Sequence, residues 1–94
     1  MTHYSRGYRV EADVVNLYRA REWFAVRTAG SHSAVDVIAM RDGEIHLIQC
    51  SCKEKGKTKG ELEILKALAD ENKCKCYHAY RDKGIKLVEV TGEA

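Results

Sequence analysis

The sequence predicts an α/β (α+β) domain of element order α-β-β-β-α-β-β, with both helices laid over one sheet. Three observations lead there. Apolar residues recur at helical spacing in two segments and alternate with polar ones in most of the remainder. Asp42-Gly43 stands between two apolar runs and is among the strongest short hairpin signals. No linker, internal repeat or low-complexity stretch divides the 94 residues, so one core and a single domain over residues 1–94 are expected.

From Arg6 to Glu22 the residues Val10, Val14, Leu17 and Tyr18 form the apolar stripe of a helix, with Ser5 placed to cap it and Arg19 and Arg21 near its C-terminal end. Trp23 to Thr28 is aromatic and β-branched, a strand, and gives way to the small and polar loop Ala29 to Ser33. Val35 to Met40 and Glu44 to Cys50 flank the Asp42-Gly43 turn and are expected to pair antiparallel. Lys53 to Lys59 reads as a charged, flexible loop. Glu61 to Asn72 carries Leu62, Leu65 and Ala69 together with Ile64 and Leu68 at helical spacing and forms the second helix. Cys74 to Tyr80 and Ile85 to Val90 alternate about the turn Arg81 to Gly84 and close the domain with a hairpin.

Apolar residues are 45% of the chain and charged residues 32%, a balance that suits a soluble globular protein and excludes a disordered or fibrous one. No apolar run reaches the length of a membrane helix. Met1 to Arg6 opens polar, without the apolar centre of a signal peptide, so the expected location is the cytoplasm. A formal net charge of +2 does not by itself imply nucleic acid, and the distribution of charge says more than the sum. Lys53, Lys55, Lys57 and Lys59 alternate through one short stretch, and Arg6 and Arg9 form a second basic cluster. Both fit phosphate contacts, and both equally fit a solvated surface. The absence of proline, a single glutamine and abundant Lys, Arg and Glu are in keeping with a thermophile.

Among the acids, Asp36 stands out because it falls in an otherwise apolar strand segment. A lone carboxylate there is costly unless it is paired, hydrogen-bonded or bound to a cation. Either it joins a metal site, where converging carboxylates hold an ion that polarises a phosphate, or it caps neighbouring backbone at a strand end. On the following strand, alternation puts Leu47, Gln49, Ser51 and nominally Lys53 on one face and His46, Ile48, Cys50 and Cys52 on the other. Glu11 lies beside the Val10/Val14 stripe, placed to reach over the sheet, or else to sit on the surface.

Four segments, in order and at their spacing, carry a resemblance that runs from about Ser5 to Val90: Ser5-Arg6-Gly7-Tyr8-Arg9-Val10-Glu11, Arg27-Thr28-Ala29-Gly30-Ser31, Val35-Asp36-Val37-Ile38-Ala39 and Ile45-His46-Leu47-Ile48-Gln49. The chain resembles the archaeal Holliday-junction resolvases, a branch of the PD-(D/E)XK nucleases. That resemblance implies a restriction-endonuclease-like αβββαββ fold with a central mixed sheet flanked by two helices, and a magnesium- or manganese-dependent endonuclease of DNA recombination and repair. It implies a homodimer cutting branched DNA, with the metal at Glu11, Asp36 and Gln49 and phosphate contacts at Arg6, Arg9, Arg27 and Ser31; Lys55, Lys57 and Lys59 of the basic run are further candidate phosphate contacts, and the charge lost at Gln49 makes the metal a weakly bound one. The third strand departs from the family. Gln49 stands where the family has a metal-binding glutamate, and Ser51 where it has a catalytic lysine. Glutamine still offers a neutral oxygen, but the site loses one negative charge. Ser51 brings no cation; Lys53 does, although an extended strand would place it about 7 Å further on.

Cys50 and Cys52 point away from the candidate face, whereas Cys74, Cys76 and His78 share a face of the next strand. Buried thiols, cross-strand disulfides and a structural zinc are all open to them. Two further functional readings therefore stand beside the nuclease: a catalytically impaired DNA-binding relative, and a zinc-binding interaction subunit.

Overall fold

The computed structural model describes residues 3–28, 34–53 and 59–91, with side chains in the first stretch described from Arg9 onward. In chain order the elements are α1 (His3–Ala20), β1 (Phe24–Arg27), β2 (Val37–Arg41), β3 (Glu44–Cys50), α2 (Lys59–Glu71), β4 (Lys75–Arg81) and β5 (Ile85–Glu89). The five strands form one mixed sheet in the order β1-β2-β3-β4-β5. Only β3 and β4 run parallel, as a crossover through α2 requires; the other neighbours are antiparallel.

Each helix seals one face. Val10, Val14, Val15 and Tyr18 of α1 are buried against Ala25, Val37, Ala39, Ile48, Cys50 and Ala79. On the other face Leu65 and Ala69 of α2 pack with Val35, Leu47 and Cys76. α1 touches all five strands, whereas α2 reaches only β3 and β4. One row of α2 is therefore enough to cover its half of the sheet, and the expected stripe is corrected: Leu62, Leu65 and Ala69 face inward, while Ile64 is 62% exposed and Leu68 37%.

Among the boundaries that differ from expectation, three bear on the site or its support. α1 begins at His3, so Ser5 lies within the helix and does not cap it. Packing of the Val10/Val14 row, rather than an N-terminal signal, holds that helix. α2 begins at Lys59, two residues ahead of Glu61. β2 begins at Val37 rather than Val35, for a reason that belongs to the site.

Turn chemistry follows the sequence closely. Asp42 and Gly43 both have positive φ (51° and 84°), the conformation a two-residue hairpin loop needs to match strand twist. Both helices end in a left-handed residue, Glu22 and Lys73. Trp23 N–H bonds to Tyr18 O and Glu22 N–H to Arg19 O, and Cys74 N–H and Lys73 N–H repeat the pair on Ala69 O and Asp70 O, two Schellman closures.

The cysteines do not gather. Cys50 belongs to the α1-side cluster, Cys74 and Cys76 to the α2 side, and all four are free thiols. Burial pushes the Cys74 and Cys76 thiols up. The sheet thus separates the sulfurs that a zinc site or a cross-strand disulfide would need together.

Candidate functional site

The end of β1, the start of β2 and the end of β3 meet at one end of the sheet. Arg27 pairs with Val37, and Val37 with Ile48. The regular register ends at that pair, and here the strands part. Asp36 N–H reaches the Ile48 carbonyl at 2.8 Å, and Asp36 Oδ2 accepts the Cys50 N–H, also at 2.8 Å. The expectation of an aspartate inside an apolar strand is corrected: Asp36 stands just ahead of β2 at the open mouth of the ladder, and one of its oxygens replaces a missing ladder bond. Thr28 steadies the same corner, its N–H on Asp36 O at 3.0 Å and its hydroxyl on Val35 O at 2.7 Å.

Gln49 and Ser51 are buried and, by alternation with Leu47, face the α2 side. Sequence reasoning placed no role on their neighbour His78, which the structure brings beside them. β3 and β4 pair Gln49 with His78, and Ser51 Oγ lies 2.7 Å from His78 Nε2. The signal was present: Cys74, Cys76 and His78 alternate onto one face, but only the parallel register shows which β3 residue His78 meets. Ser51 N–H donates to Ala79 O at 2.9 Å, and its hydroxyl donates to the carbonyl of Lys53 at 2.5 Å. Lys53 itself is exposed.

Glu11 approaches the same end of the sheet from the α1 side. Its Oε1 accepts from Arg27 Nε at 2.9 Å, a half-buried ion pair, so in this state Arg27 holds a carboxylate. Arg9 is exposed on α1, one residue before Val10, and Lys59 is exposed at the first position of α2. The Arg6 side chain, Ser31, Lys55 and Lys57 lie outside the described residues.

The oxygens on offer, from Asp36, Glu11 and Gln49, are the hard donors that magnesium and manganese take. No group of three His, Cys, Asp or Glu side chains converges among the described residues, and Glu11 is engaged by Arg27. The donor types suit such a cation, but Glu11 lies on the α1 side and Gln49 faces the α2 side, so the three oxygens form no preformed cage in this state.

A second polar cluster lies at the opposite end of β3. His46 Nε2 donates to Glu44 Oε2 at 2.6 Å, so its Nδ1 accepts from the Tyr18 hydroxyl at 2.9 Å. Trp23 and Tyr77 flank the imidazole at ring distances of 4.6 and 4.7 Å. Burial pushes the Tyr18 hydroxyl far up, and the His46 hydrogen bond lowers Glu44. His46 is three residues from Gln49, about 10 Å along a strand, and this network ties β3 to α1.

Residues 2–91 match the family model described as archaeal Holliday junction resolvase (Hjc). Among solved structures, Hjc of the archaeal hyperthermophile Archaeoglobus fulgidus, a Holliday junction resolvase, aligns with a TM-score of 0.76 at 20% identity, over 90% of this chain and 73% of that one. At that identity the likeness speaks for the fold. No curated protein sequence matches.

Proposed function

The chain belongs to the archaeal Holliday junction resolvase family, and on that premise we propose that it cleaves branched DNA, four-way junctions foremost, as a homodimeric, divalent-metal-dependent endonuclease of the cytoplasm. The observation that carries this reading is that Asp36 stands where β2 and β3 part, its carboxylate on the N–H of the residue after Gln49, with Glu11 paired to Arg27 at the same end of the sheet. Asp36, Gln49 and Glu11 are the residues that would hold magnesium or manganese, which when bound would supply Lewis acidity at the scissile phosphate and a more acidic attacking water.

The chain's own residues do the rest. Arg27 is a guanidinium whose fork suits a carboxylate and a phosphate equally. On DNA binding it passes from Glu11 to a backbone phosphate, which frees the Glu11 carboxylate. Arg6, Arg9, Ser31, Lys55, Lys57 and Lys59 hold further phosphates and fix the register of the junction without reading sequence.

The homodimer has a surface to form on. By alternation with the buried Ala25 and Ala39, Phe24 and Met40 point to the α2 side, where α2 does not reach them. They are directly paired across β1 and β2, 58% and 41% exposed, and Ile64 and Leu68 add exposed apolar area on α2. A symmetric junction needs two cuts, and a two-fold pair on this face brings two sites to one substrate.

One alternative draws on a specific observation. Gln49 and Ser51 remove a charge and a cation from the site, which favours a relative that binds junctions without cutting them. Metal titration of junction cleavage by the parent and by Gln49→Glu separates the two: the reading predicts cleavage by the parent at high magnesium and a lower magnesium requirement in the variant. Tight junction binding with no cleavage by either protein at any magnesium or manganese concentration selects the alternative.

A further inference from the structure

β3 lacks the lysine of the family pattern at Ser51, and the question is what supplies a positive charge in its place. We propose that Lys53 supplies it and that His78 is the positioning residue that aims Lys53, acting through Ser51. The purpose assigned to Lys53 rests on the nuclease reading above; the relay that holds it rests on geometry alone.

Were β3 to continue extended, Lys53 would stand about 7 Å beyond Ser51 and its backbone would be out of reach of the Ser51 side chain. It is not out of reach. The Ser51 hydroxyl bonds the carbonyl of Lys53 at 2.5 Å, a local side-chain-to-backbone bond between residues two apart that exists only where the chain bends. β3 ends at Cys50, and the bend lies at residues 52 and 53. The Lys53 backbone is thus held beside Ser51, two residues past Gln49.

Proton accounting then fixes the role of His78. A serine hydroxyl has one proton, and here the carbonyl of Lys53 takes it. The 2.7 Å contact between Ser51 Oγ and His78 Nε2 must therefore be donated by the histidine, which sets the tautomer with the proton on Nε2. The bonds run in one direction, from His78 Nε2–H to Ser51 Oγ–H to the Lys53 carbonyl. His78 and Ser51 are 6% and 7% exposed, so water competes little for either bond. Ser51 N–H on Ala79 O adds a second fastening to β4. A buried histidine merely satisfied by a serine would leave the next residues unconstrained; this one ends on the backbone of an exposed lysine.

Two measurements test the proposal. On the protein without DNA or metal, histidine nitrogen spectra should show His78 protonated at Nε2. Backbone order parameters at Cys52 and Lys53 should fall from the rigid range near 0.85 to below about 0.6 in Ser51→Ala and His78→Ala. His78→Gln, which keeps an N–H donor in that place, should stay near the parent. In single-turnover junction cleavage with magnesium, Lys53→Ala should slow the chemical step by about a hundredfold with junction affinity unchanged. Ser51→Ala should approach that loss, and adding it to Lys53→Ala should cost nothing more, which a fold-stability role for Ser51 would not produce. Ser51→Ala leaves His78 in place, so the relay is tested even if His78→Ala does not fold. An Nδ1-protonated His78, unchanged order at Cys52 and Lys53 in Ser51→Ala, or a Lys53→Ala variant that cuts at the parent rate overturns the proposal. If the parent cuts no junction, the nuclease reading falls and the proposed charge at Lys53 falls with it, while the order parameters alone decide the relay.

Discussion

Asp36 does two things at once, and two substitutions separate them. Its Oδ2 accepts the N–H of Cys50, and on the nuclease reading the same carboxylate is an anionic metal ligand. Asp36→Asn keeps an oxygen for that N–H but turns a charged hydrogen bond into a neutral one, a loss of about 1 kcal/mol. Asp36→Ala removes the acceptor that the N–H of the buried Cys50 uses, at about 1–3 kcal/mol. An unfolding entropy of roughly 2.1 cal/mol/K per residue over 94 residues is about 0.2 kcal/mol/K. Asn should therefore lower the Tm by about 5 °C and Ala by about 5–15 °C. Cleavage should not follow that ranking. Groups that only support a metal ligand are worth about 10- to 100-fold, so loss of the ligand's charge should slow both variants by about a hundredfold or more. Thermal unfolding by circular dichroism and single-turnover cleavage in magnesium read the two effects separately. An Asn variant that melts about 5 °C lower yet cuts at the parent rate would refute the reasoning and leave Asp36 a backbone cap.

Junction binding should weaken steeply with salt, and Lys55, Lys57 and Lys59 changed together to Ala should lower affinity and flatten the slope of log K against log salt by about 3; an unchanged slope returns those lysines to plain solvated surface. Phe24→Glu and Met40→Glu together should convert dimer to monomer in light scattering, and a dimer that survives both places the interface elsewhere. Glu44 is held below the ordinary carboxylate range by the His46 N–H. Its folded pKa lies below its unfolded one, so its contribution to stability is present above the unfolded carboxylate range and is lost as pH falls through the lowered folded value. Urea unfolding should thus separate Glu44→Gln from the parent at neutral pH and bring them together as pH falls below the ordinary carboxylate range; a gap equal at both ends contradicts the pairing.

Most of the architecture was legible because local rules and the global fold agree. The Val10/Val14/Tyr18 row, the Asp42-Gly43 loop and the Leu65/Ala69 row each point to one solution. What pattern could not show was how far α2 extends over the sheet. Ile64 and Leu68 fit a helical stripe, and only the reach of α2 to β3 and β4 alone leaves them outside the core. The candidate site was legible as residue types in order, and less so as contacts. Alternation placed Gln49 and Ser51 on one face correctly, yet it assumes an unbroken ladder, and the ladder opens at Asp36. A strand that bends after Cys50 breaks the same assumption at Lys53. The pairing of Ser51 with His78 depends on the parallel register of β3 and β4, two segments separated by a helix, and no short-range signal in either strand encodes it.

The central claim is tested most directly by giving the parent protein a four-way junction and a linear duplex of the same arm sequence, side by side, with magnesium and without. The account predicts tighter binding of the junction in both conditions, paired symmetric cuts in the junction only when metal is present, and an intact duplex. Equal affinity for the two DNAs, or cuts that ignore the branch point, would contradict it.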